Sequence, residues 1–236
     1  MAEPAPKRGR THDAEGAREA ILNAAEQVFA EHGFDGARID AIAAASGYNK
    51  SLIFQYFDDK LGLYSAVIRR ADDQTRDLQA QILAALLEDD ITLDADRFKA
   101  SLSSFLRAYF DYLVLHPQVR RIFIWEMAEG WQTYAKIVSQ RDFEDIEQFR
   151  PVFEKIQKAG LLRSDFDPLA QVIIIEFLHL FYMACLPMFQ LLMPAEDYSS
   201  EQALARASDF IIDFIIHGLL TDVSERVMKA ASKTAP

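Results

Sequence analysis

The side chains best suited to chemistry in this sequence are hydrogen-bonding groups clustered around residue 50. The amides of Asn49 and Gln55 can each pair with the two polar atoms that adenine presents in the DNA major groove, and Lys50 can reach guanine or a phosphate. The simpler alternative is a solvated helix face. We favour groove contact, and the predicted DNA-contacting set in this segment is Tyr48, Asn49, Lys50, Ser51 and Gln55.

Two short helices with a glycine turn between them would position these side chains. Apolar residues at i, i+3 and i+4 predict one helix that ends at Gly47. Asn49 can cap a second helix, on which Ile53 and Phe57 lie one turn apart and face inward. The polar residues then face outward. The pattern predicts a helix-turn-helix over residues 38–57, whose second helix fits the major groove.

Further helices flank this motif on both sides. An apolar stripe over residues 21–29 predicts the preceding helix, which Gly33 ends because glycine readily adopts the left-handed conformation. After the motif, Asp59 can cap a helix that continues to Leu87. These helices share one apolar side, so residues 17–71 are expected to form a small DNA-binding domain.

These motifs resemble the N-terminal domain of the TetR family of transcriptional regulators. The matching segments are Phe29-Ala-Glu-His-Gly33-Phe34, Ile42-Ala43, Ser46-Gly47-Tyr48, Phe54-Gln55-Tyr56-Phe57 and Lys60-Leu-Gly-Leu63. The resemblance implies that Tyr56 and Lys60 clamp the DNA backbone. Arg38, at the start of the motif, is a further candidate for a base or phosphate contact, with an ordinary surface arginine as the alternative. Tyr48 and Phe54 depart from the family's usual residues, which leaves the operator sequence open.

The net charge of −11 over 236 residues is unevenly distributed. Residues 1–70 carry nine basic and ten acidic side chains, so most of the negative charge lies in the remainder. Contacts to DNA phosphates need lysine and arginine, and the proposed DNA face is not strongly basic. Affinity is therefore expected to depend on two copies binding together.

The remaining sequence shows helical spacing and no strand-like alternation, which predicts an all-α chain. The expected architecture, with roles implied by the resemblance, is an N-terminal three-helix helix-turn-helix domain that a fourth helix joins to a C-terminal helical bundle for ligand binding and dimerisation. The expected segments are a disordered arm over 1–16, the DNA-binding domain over 17–71, the ligand-binding and dimerisation domain over 72–222 and a flexible tail over 223–236.

The most apolar segment, residues 168–193, is long enough to span a bilayer. Glu176, His179 and Gln190 interrupt it, and no cluster of basic residues flanks it. A helix that is apolar all round also suits a buried interface. We therefore expect no membrane association and a homodimer formed through helices at about 168–193 and 200–220.

By resemblance, the C-terminal region holds a cavity for a small-molecule effector. Its lining is expected among aromatic side chains on helix faces, with Glu126 and His179 fixing the orientation of the effector. The alternative for each aromatic residue is an ordinary place in the core, and for His179 it is a ring bonded to a backbone carbonyl. The predicted effector-binding residues are Phe105, Tyr109, Trp125, Glu126, Trp131, Tyr134, Phe177, His179 and Phe181.

The sequence contains no recognisable catalytic or metal-binding motif. No Gly-rich phosphate loop, His-Glu-x-x-His or Gly-x-Ser-x-Gly segment occurs, the five histidines lack metal-ligand spacing, and Cys185 is the single cysteine. We therefore expect no enzyme activity, no metal, no cofactor and a cytoplasmic location. The predicted function is a ligand-responsive repressor that leaves a near-palindromic double-stranded DNA operator when a small apolar or aromatic effector binds. The alternative is a helical small-molecule carrier or enzyme with a vestigial helix-turn-helix.

Overall fold

The computed structural model describes residues 8–87, 95–138, 147 and 150–219, and ten α-helices lie within those ranges. The prediction of an all-α chain is confirmed for this part of the sequence. The helices form two compact units. Among the described residues, those up to Gln74 together with Pro117–Ile137 form the first unit, whereas those within Thr75–His116 and from Val138 onward form the second.

The boundary after Gln74 falls inside one long helix. The first unit contains α1 (Arg8–Gly36), α2 (Ile39–Ser46), α3 (Lys50–Phe57), the first part of α4 (Lys60–Leu87), α6 (Pro117–Ala128) and α7 (Tyr134–Ile137). The second unit contains the rest of α4, then α5 (Ala95–Leu115), α8 (Arg150–Lys158), α9 (Pro168–Leu192) and α10 (Glu201–Leu219).

Helix α1 is longer than its apolar stripe indicated. It begins at Arg8, so residues 8–16 are helical although a disordered arm was expected over 1–16. Alanine, glutamate and arginine in this stretch favour helix without adding to an apolar stripe. Regular geometry is interrupted at Gly33, where φ is 67°. The positive φ favours glycine at this position, and a Cβ would lie 3.1 Å from the ring of Trp125, so the ring would have to shift slightly to admit a side chain.

The core of the first unit draws one or more side chains from each of its longer helices. Phe29 from α1, Ile42 from α2, Ile53 from α3 and Leu63 from α4 are fully buried in one cluster. Ile122 from α6 is buried in the same cluster. Burial of this apolar surface holds α2 and α3 at a fixed angle and leaves their opposite sides to solvent.

Helix α6 was expected in the ligand-binding domain over 72–222, but it packs with the first unit. Its Trp125 donates a hydrogen bond from Nε1 to the carbonyl of Ala30, with a separation of 3.3 Å. A linear division of the sequence cannot reveal this arrangement, because α5 separates α6 from the helices against which it packs.

The second unit has its own core between α5, α9 and α10. Phe110 from α5, Ile175 from α9 and Ile211 from α10 are buried in it. The carboxylate of Asp167 caps α9 by accepting hydrogen bonds from the backbone N–H groups of Leu169 and Ala170 at 3.0 and 3.1 Å. Pro168 follows this cap in the first turn of α9, where proline fits because no backbone N–H is needed there.

Candidate nucleic-acid interface

Helix α3 presents one polar face to solvent and one apolar face to the core. Ile53 and Phe57 are buried, as their spacing predicted, whereas Lys50, Ser51 and Gln55 are exposed. The exposed residues lie at i, i+1 and i+5, so they share one side of the helix. This side is free to approach a ligand as large as a DNA groove.

Lys50 is held by an acidic neighbour from the preceding helix. Its Nζ lies 2.6 Å from Oδ1 of Asp40, and both side chains are at least half exposed. An exposed ion pair of this kind is worth little in water. Lys50 can therefore turn to a phosphate or a base, but it must exchange the carboxylate for the new partner.

The side chain of Asn49 has a structural task that limits its role in DNA contact. Its Oδ1 accepts a hydrogen bond from the backbone N–H of Leu52 at 2.9 Å and so caps α3. The cap confirms one prediction and constrains another, because a bidentate pairing with adenine would have to use the second lone pair of the same oxygen. The NH₂ group of Asn49 can donate to DNA while the cap is intact.

Tyr48 and Tyr56 flank the exposed face and are half buried. Both pack against the core cluster of the first unit, and the ring of Tyr56 lies 6.2 Å from that of Phe57. Rings anchored on one side cost little conformational entropy when the other side binds. These positions suit contacts at the edge of an interface.

Lys60, at the N-terminus of α4, is fixed more firmly than a typical surface lysine. Its Nζ donates to the carbonyl oxygen of Asp35 at 3.3 Å and lies 4.6 Å from the centre of the Phe34 ring. Desolvation lowers the pKa of Lys60, while the charge of Asp35 opposes that shift. The ammonium is thus positioned by the fold rather than by a flexible stem.

Arg38 occupies the N-cap position of α2, where its side chain makes no capping hydrogen bond and is exposed. Gly62 allows the turn between α3 and α4 to close, because a Cβ there would lie 2.1 Å from the carbonyl oxygen of Phe57. Asp59 accepts a hydrogen bond from the N–H of Gly62 at 2.7 Å, as its N-cap role predicted. Short-range geometry therefore fixes the turn that carries Lys60, whereas no capping hydrogen bond holds the Arg38 side chain.

Two residues that sequence reasoning did not assign belong to this surface. The sequence gives no sign that Asp40 belongs here, because its pairing with Lys50 depends on the angle between α2 and α3. For Phe54 the sequence does give a sign, since Phe54 follows Lys50 at i+4 and so lies on the same face of α3. The ring of Phe54 is 41% exposed, and such a ring can pack against a thymine methyl group.

The predicted effector-binding residues divide between the two units. Trp125, Glu126, Trp131 and Tyr134 lie on α6 and α7 or between them, within the first unit. Glu126 is buried there and accepts hydrogen bonds from the Tyr64 hydroxyl and the Tyr134 backbone N–H. Its carboxylate is therefore already satisfied by the protein.

In the second unit the structure brings three of the predicted residues together. Phe105 stacks on Tyr109 at 6.2 Å, and Tyr109 meets the ring of His179 edge-on at 5.6 Å. Phe177 is half buried, and Phe181 is 62% exposed on α9. Phe181 thus belongs to an outer face of α9 rather than to the group around His179.

Two family models match separate parts of the chain. The model of bacterial regulatory proteins of the tetR family matches residues 21–67, and that of the tetracyclin repressor-like C-terminal domain matches residues 99–215. The first range contains the whole helix-turn-helix. The second extends from α5 into α10.

Individual proteins of known role are similar over long stretches. The HTH-type transcriptional repressor NicS of Pseudomonas putida is 28% identical over 212 residues, which cover 89% of this chain and 95% of NicS. The HTH-type transcriptional regulator RutR of Escherichia coli K12 is 34% identical over 124 residues, 52% of this chain and 53% of RutR. The solved structure of SmeT, the repressor of the Stenotrophomonas maltophilia multidrug efflux pump SmeDEF, has a TM-score of 0.52 at 19% identity and covers 87% of this chain and 91% of its own.

At 19% identity the likeness to SmeT shows a shared fold. The two family models go further, because the first matches residues 21–67, which contain the helix-turn-helix, and the second matches residues 99–215. The exposed polar face of α3 is the surface that such a motif presents to the major groove. This chain belongs to the TetR family and is a DNA-binding transcriptional regulator.

Proposed function

We propose that this regulator is a homodimeric repressor that binds a near-palindromic operator and leaves it when a small apolar or aromatic effector binds. The observation that carries the proposal is the exposed polar face of α3, backed by a fully buried apolar face. Acting on chromosomal DNA, the protein works in the cytoplasm and as a binding protein rather than an enzyme.

The proposed DNA contacts fall into two groups. Lys50, Ser51 and Gln55 read base edges, since α3 presents them together. The remaining residues position the helix on the sugar-phosphate backbone. They are Arg38, Tyr48, Asn49, Tyr56 and Lys60.

Members of this family bind DNA operators as dimers, and the proposed dimer face lies on α9 and α10. Large apolar side chains are exposed on both helices, including Phe181 and Leu191 on α9 and Phe210 and Phe214 on α10. Exposed apolar surface of this extent marks an interface. A second copy would place two α3 helices about 34–36 Å apart, or a multiple of that distance, on one side of the duplex.

Helix α9 is also long and apolar enough to cross a membrane, judged by length and composition alone. Buried residues of α9 favour the dimer over a membrane span, because they already pack into the protein core that α9 shares with α5 and α10. A helix that already contributes one side to a protein core presents only its other side to a partner. On α9, that other side carries the exposed Phe181 and Leu191.

The effector is proposed to bind the second unit, near the rings of Phe105, Tyr109 and His179. These rings give the surroundings an aromatic character, which suits an apolar or aromatic molecule. Release of DNA requires that the effector bind the non-operator conformation more tightly, since equal affinity for both conformations shifts nothing.

The test is a titration of fluorescently labelled DNA from upstream of the protein's own gene. Lys50→Ala, Gln55→Ala and Tyr56→Phe should each weaken binding, whereas Lys99→Ala removes an exposed charge on α5 and should match the parent protein. Affinity should fall steeply with salt. If all three α3 variants bind like the Lys99 control, the groove assignment is wrong.

A further inference from the structure

His179 is fully buried in the second unit, and the position of its proton can be deduced. The side chain is 0% exposed, and its Nδ1 lies 2.8 Å from the carbonyl oxygen of Ile175. A carbonyl oxygen only accepts hydrogen bonds, so Nδ1 must carry the proton and donate. In the neutral ring the other nitrogen, Nε2, then has a lone pair and acts only as an acceptor.

Desolvation lowers the pKa of His179, and the hydrogen bond to Ile175 opposes that shift. The ring is therefore neutral near pH 7. Nε2 is buried and has no hydrogen-bond partner within the described part of the chain. Buried polar atoms nearly always have a partner, and an unpaired one costs stability that an apolar residue would avoid.

The surroundings of this acceptor are aromatic. The ring of Tyr109 meets His179 at 5.6 Å, and that of Phe110 at 6.1 Å. Phe105 in turn stacks on Tyr109, and the ring of Tyr182 lies 6.2 Å from that of Phe110. A lone acceptor within aromatic walls is the arrangement that fixes the orientation of a small ligand.

Two other buried atoms lack partners in the described residues, namely Oε1 of Gln171 and Oγ of Ser208. The Gln171 amide already donates to the carbonyls of Arg163 and Phe166, which ties it to the turn before α9. The hydroxyl of Ser208 can rotate and both donate and accept, so it selects no ligand chemistry. Oε1 of Gln171 can also only accept a hydrogen bond. Of the two acceptors, however, only Nε2 of His179 lies on a ring that contacts other aromatic rings in the described residues.

We propose that Nε2 of His179 accepts a hydrogen bond from the effector, which combines an aromatic body with a hydroxyl or N–H donor. The inference rests on the proposed function only in that the second unit binds a small molecule. It adds the chemical class of that molecule: an aromatic donor is recognised, and the same skeleton without the donor is rejected.

The first measurement is the tautomer of His179 in the free protein. Nitrogen-15 labelling of the five histidines and long-range nitrogen–proton correlation spectra distinguish a protonated Nδ1 from a protonated Nε2. The His179 signals are assigned by their loss in His179→Gln. We expect an unprotonated Nε2. A proton on Nε2, or a charged ring, overturns the proposal.

The second measurement uses two matched pairs of probes, indole with 1-methylindole and phenol with anisole. Each is titrated into the labelled protein, and the Nε2 shift gives the dissociation constant. We expect the donors, indole and phenol, to bind about tenfold more tightly than their methylated partners, because a methylated probe leaves Nε2 unpaired. Equal affinities within both pairs overturn the proposal; a bound water at Nε2 would produce that result. The proposal is also overturned if no probe gives a saturable shift of Nε2.

Variants separate hydrogen bonding from the size of the added methyl group. His179→Leu removes the acceptor, should fold at least as stably as the parent protein, and should abolish the donor preference within each pair. His179→Gln keeps an acceptor at the position of Nε2 and should retain the preference. For these variants, binding is followed by calorimetry. A preference that survives in His179→Leu, or disappears in His179→Gln, contradicts the assignment.

Titration of operator DNA without any probe keeps this inference distinct from the proposed function. Tight DNA binding together with a failed probe experiment rejects only the assignment of His179. Loss of the donor preference and of DNA binding together rejects both. A clear donor preference without DNA binding retains the ligand site and rejects the proposed operator.

Discussion

The hydroxyl of Tyr64 donates a hydrogen bond to Oε1 of Glu126 over 2.6 Å, and this contact joins α4 to α6 inside the first unit. Glu126 is 1% exposed, and its Oε2 accepts the backbone N–H of Tyr134 at 3.0 Å. Each carboxylate oxygen thus has a donor, as a buried charge requires. Burial and the bond to Glu126 raise the pKa of Tyr64, so its hydroxyl remains a donor at neutral pH.

Tyr64→Phe removes one of these donors and leaves the buried carboxylate of Glu126 partly unpaired. We expect the free energy of unfolding of the first unit to fall by roughly 2–3 kcal/mol. Both tryptophans of the chain, Trp125 and Trp131, lie in this unit, so their fluorescence during urea unfolding reports on it specifically.

The matched control is Tyr198→Phe in the second unit, which loses only a hydroxyl contact of 3.4 Å to the sulfur of Met193. It should change the unfolding of the first unit by less than about 0.5 kcal/mol. If Tyr64→Phe is no more destabilising than this control, the bond to Glu126 does not support the fold.

Asp40→Asn should strengthen DNA binding, because it releases Lys50 and removes a negative charge beside the proposed interface. The ion pair is exposed, so a modest gain of about two- to fivefold in affinity is expected. Asp73→Asn makes the same change in charge at an exposed site on α4. In a double-mutant cycle, Asp40→Asn should gain less when Lys50 is already alanine. Equal gains with and without Lys50 would show that only net charge matters.

Asn49 should matter for the stability of α3 more than for base choice. Asn49→Ala removes the cap on the Leu52 N–H and is expected to cost about 1 kcal/mol. Asn49→Ser keeps a capping oxygen but has no amide, so it should retain both stability and the preferred operator sequence. Selection of binding sites from random DNA with the serine variant is the measurement, and a changed base preference would show direct readout by Asn49.

The features predictable from the sequence were those decided within one or two helical turns. Asn49 and Asp167 accept hydrogen bonds from backbone groups two or three residues away, and Gly47 ends α2 with a φ of 76°. The exposed face of α3 followed from the spacing of Ile53 and Phe57. Such features depend on side-chain chemistry and helical periodicity, both of which are visible in one segment.

Features that depend on distant segments were not predictable. Tyr64 and Glu126 are 62 residues apart, so nothing near Glu126 in the sequence identified its hydrogen-bond donor. The packing of α6 with the first unit was not predictable for the same reason. In the sequence, Ile122 and Trp125 look like ordinary apolar residues of a C-terminal bundle. Tertiary packing determines these contacts.

The proposed dimer face predicts that a single charge will separate the subunits. Phe181→Glu on α9 and Phe214→Glu on α10 each place a carboxylate where a second copy would bury it, which is costly without a partner. Leu115→Glu is the control, because Leu115 is 75% exposed on α5, outside the proposed face. Sedimentation velocity should show monomers for the first two variants and a dimer for the control. A dimer in all three places the interface elsewhere.

The buried neutral ring of His179 predicts a pH-dependent stability with a definite sign. Its folded pKa is lowered by desolvation, whereas an unfolded histidine has a pKa of about 6.5. Below that pH the unfolded chain binds a proton that the folded chain does not, so stability is lost as pH falls through 6.5. His179→Leu and His179→Gln should both reduce the slope of unfolding free energy between about pH 6.5 and 5. Because the two variants differ in packing but share the loss of an ionisable group, a slope unchanged in both would mean that His179 binds a proton in the folded protein as readily as in the unfolded one.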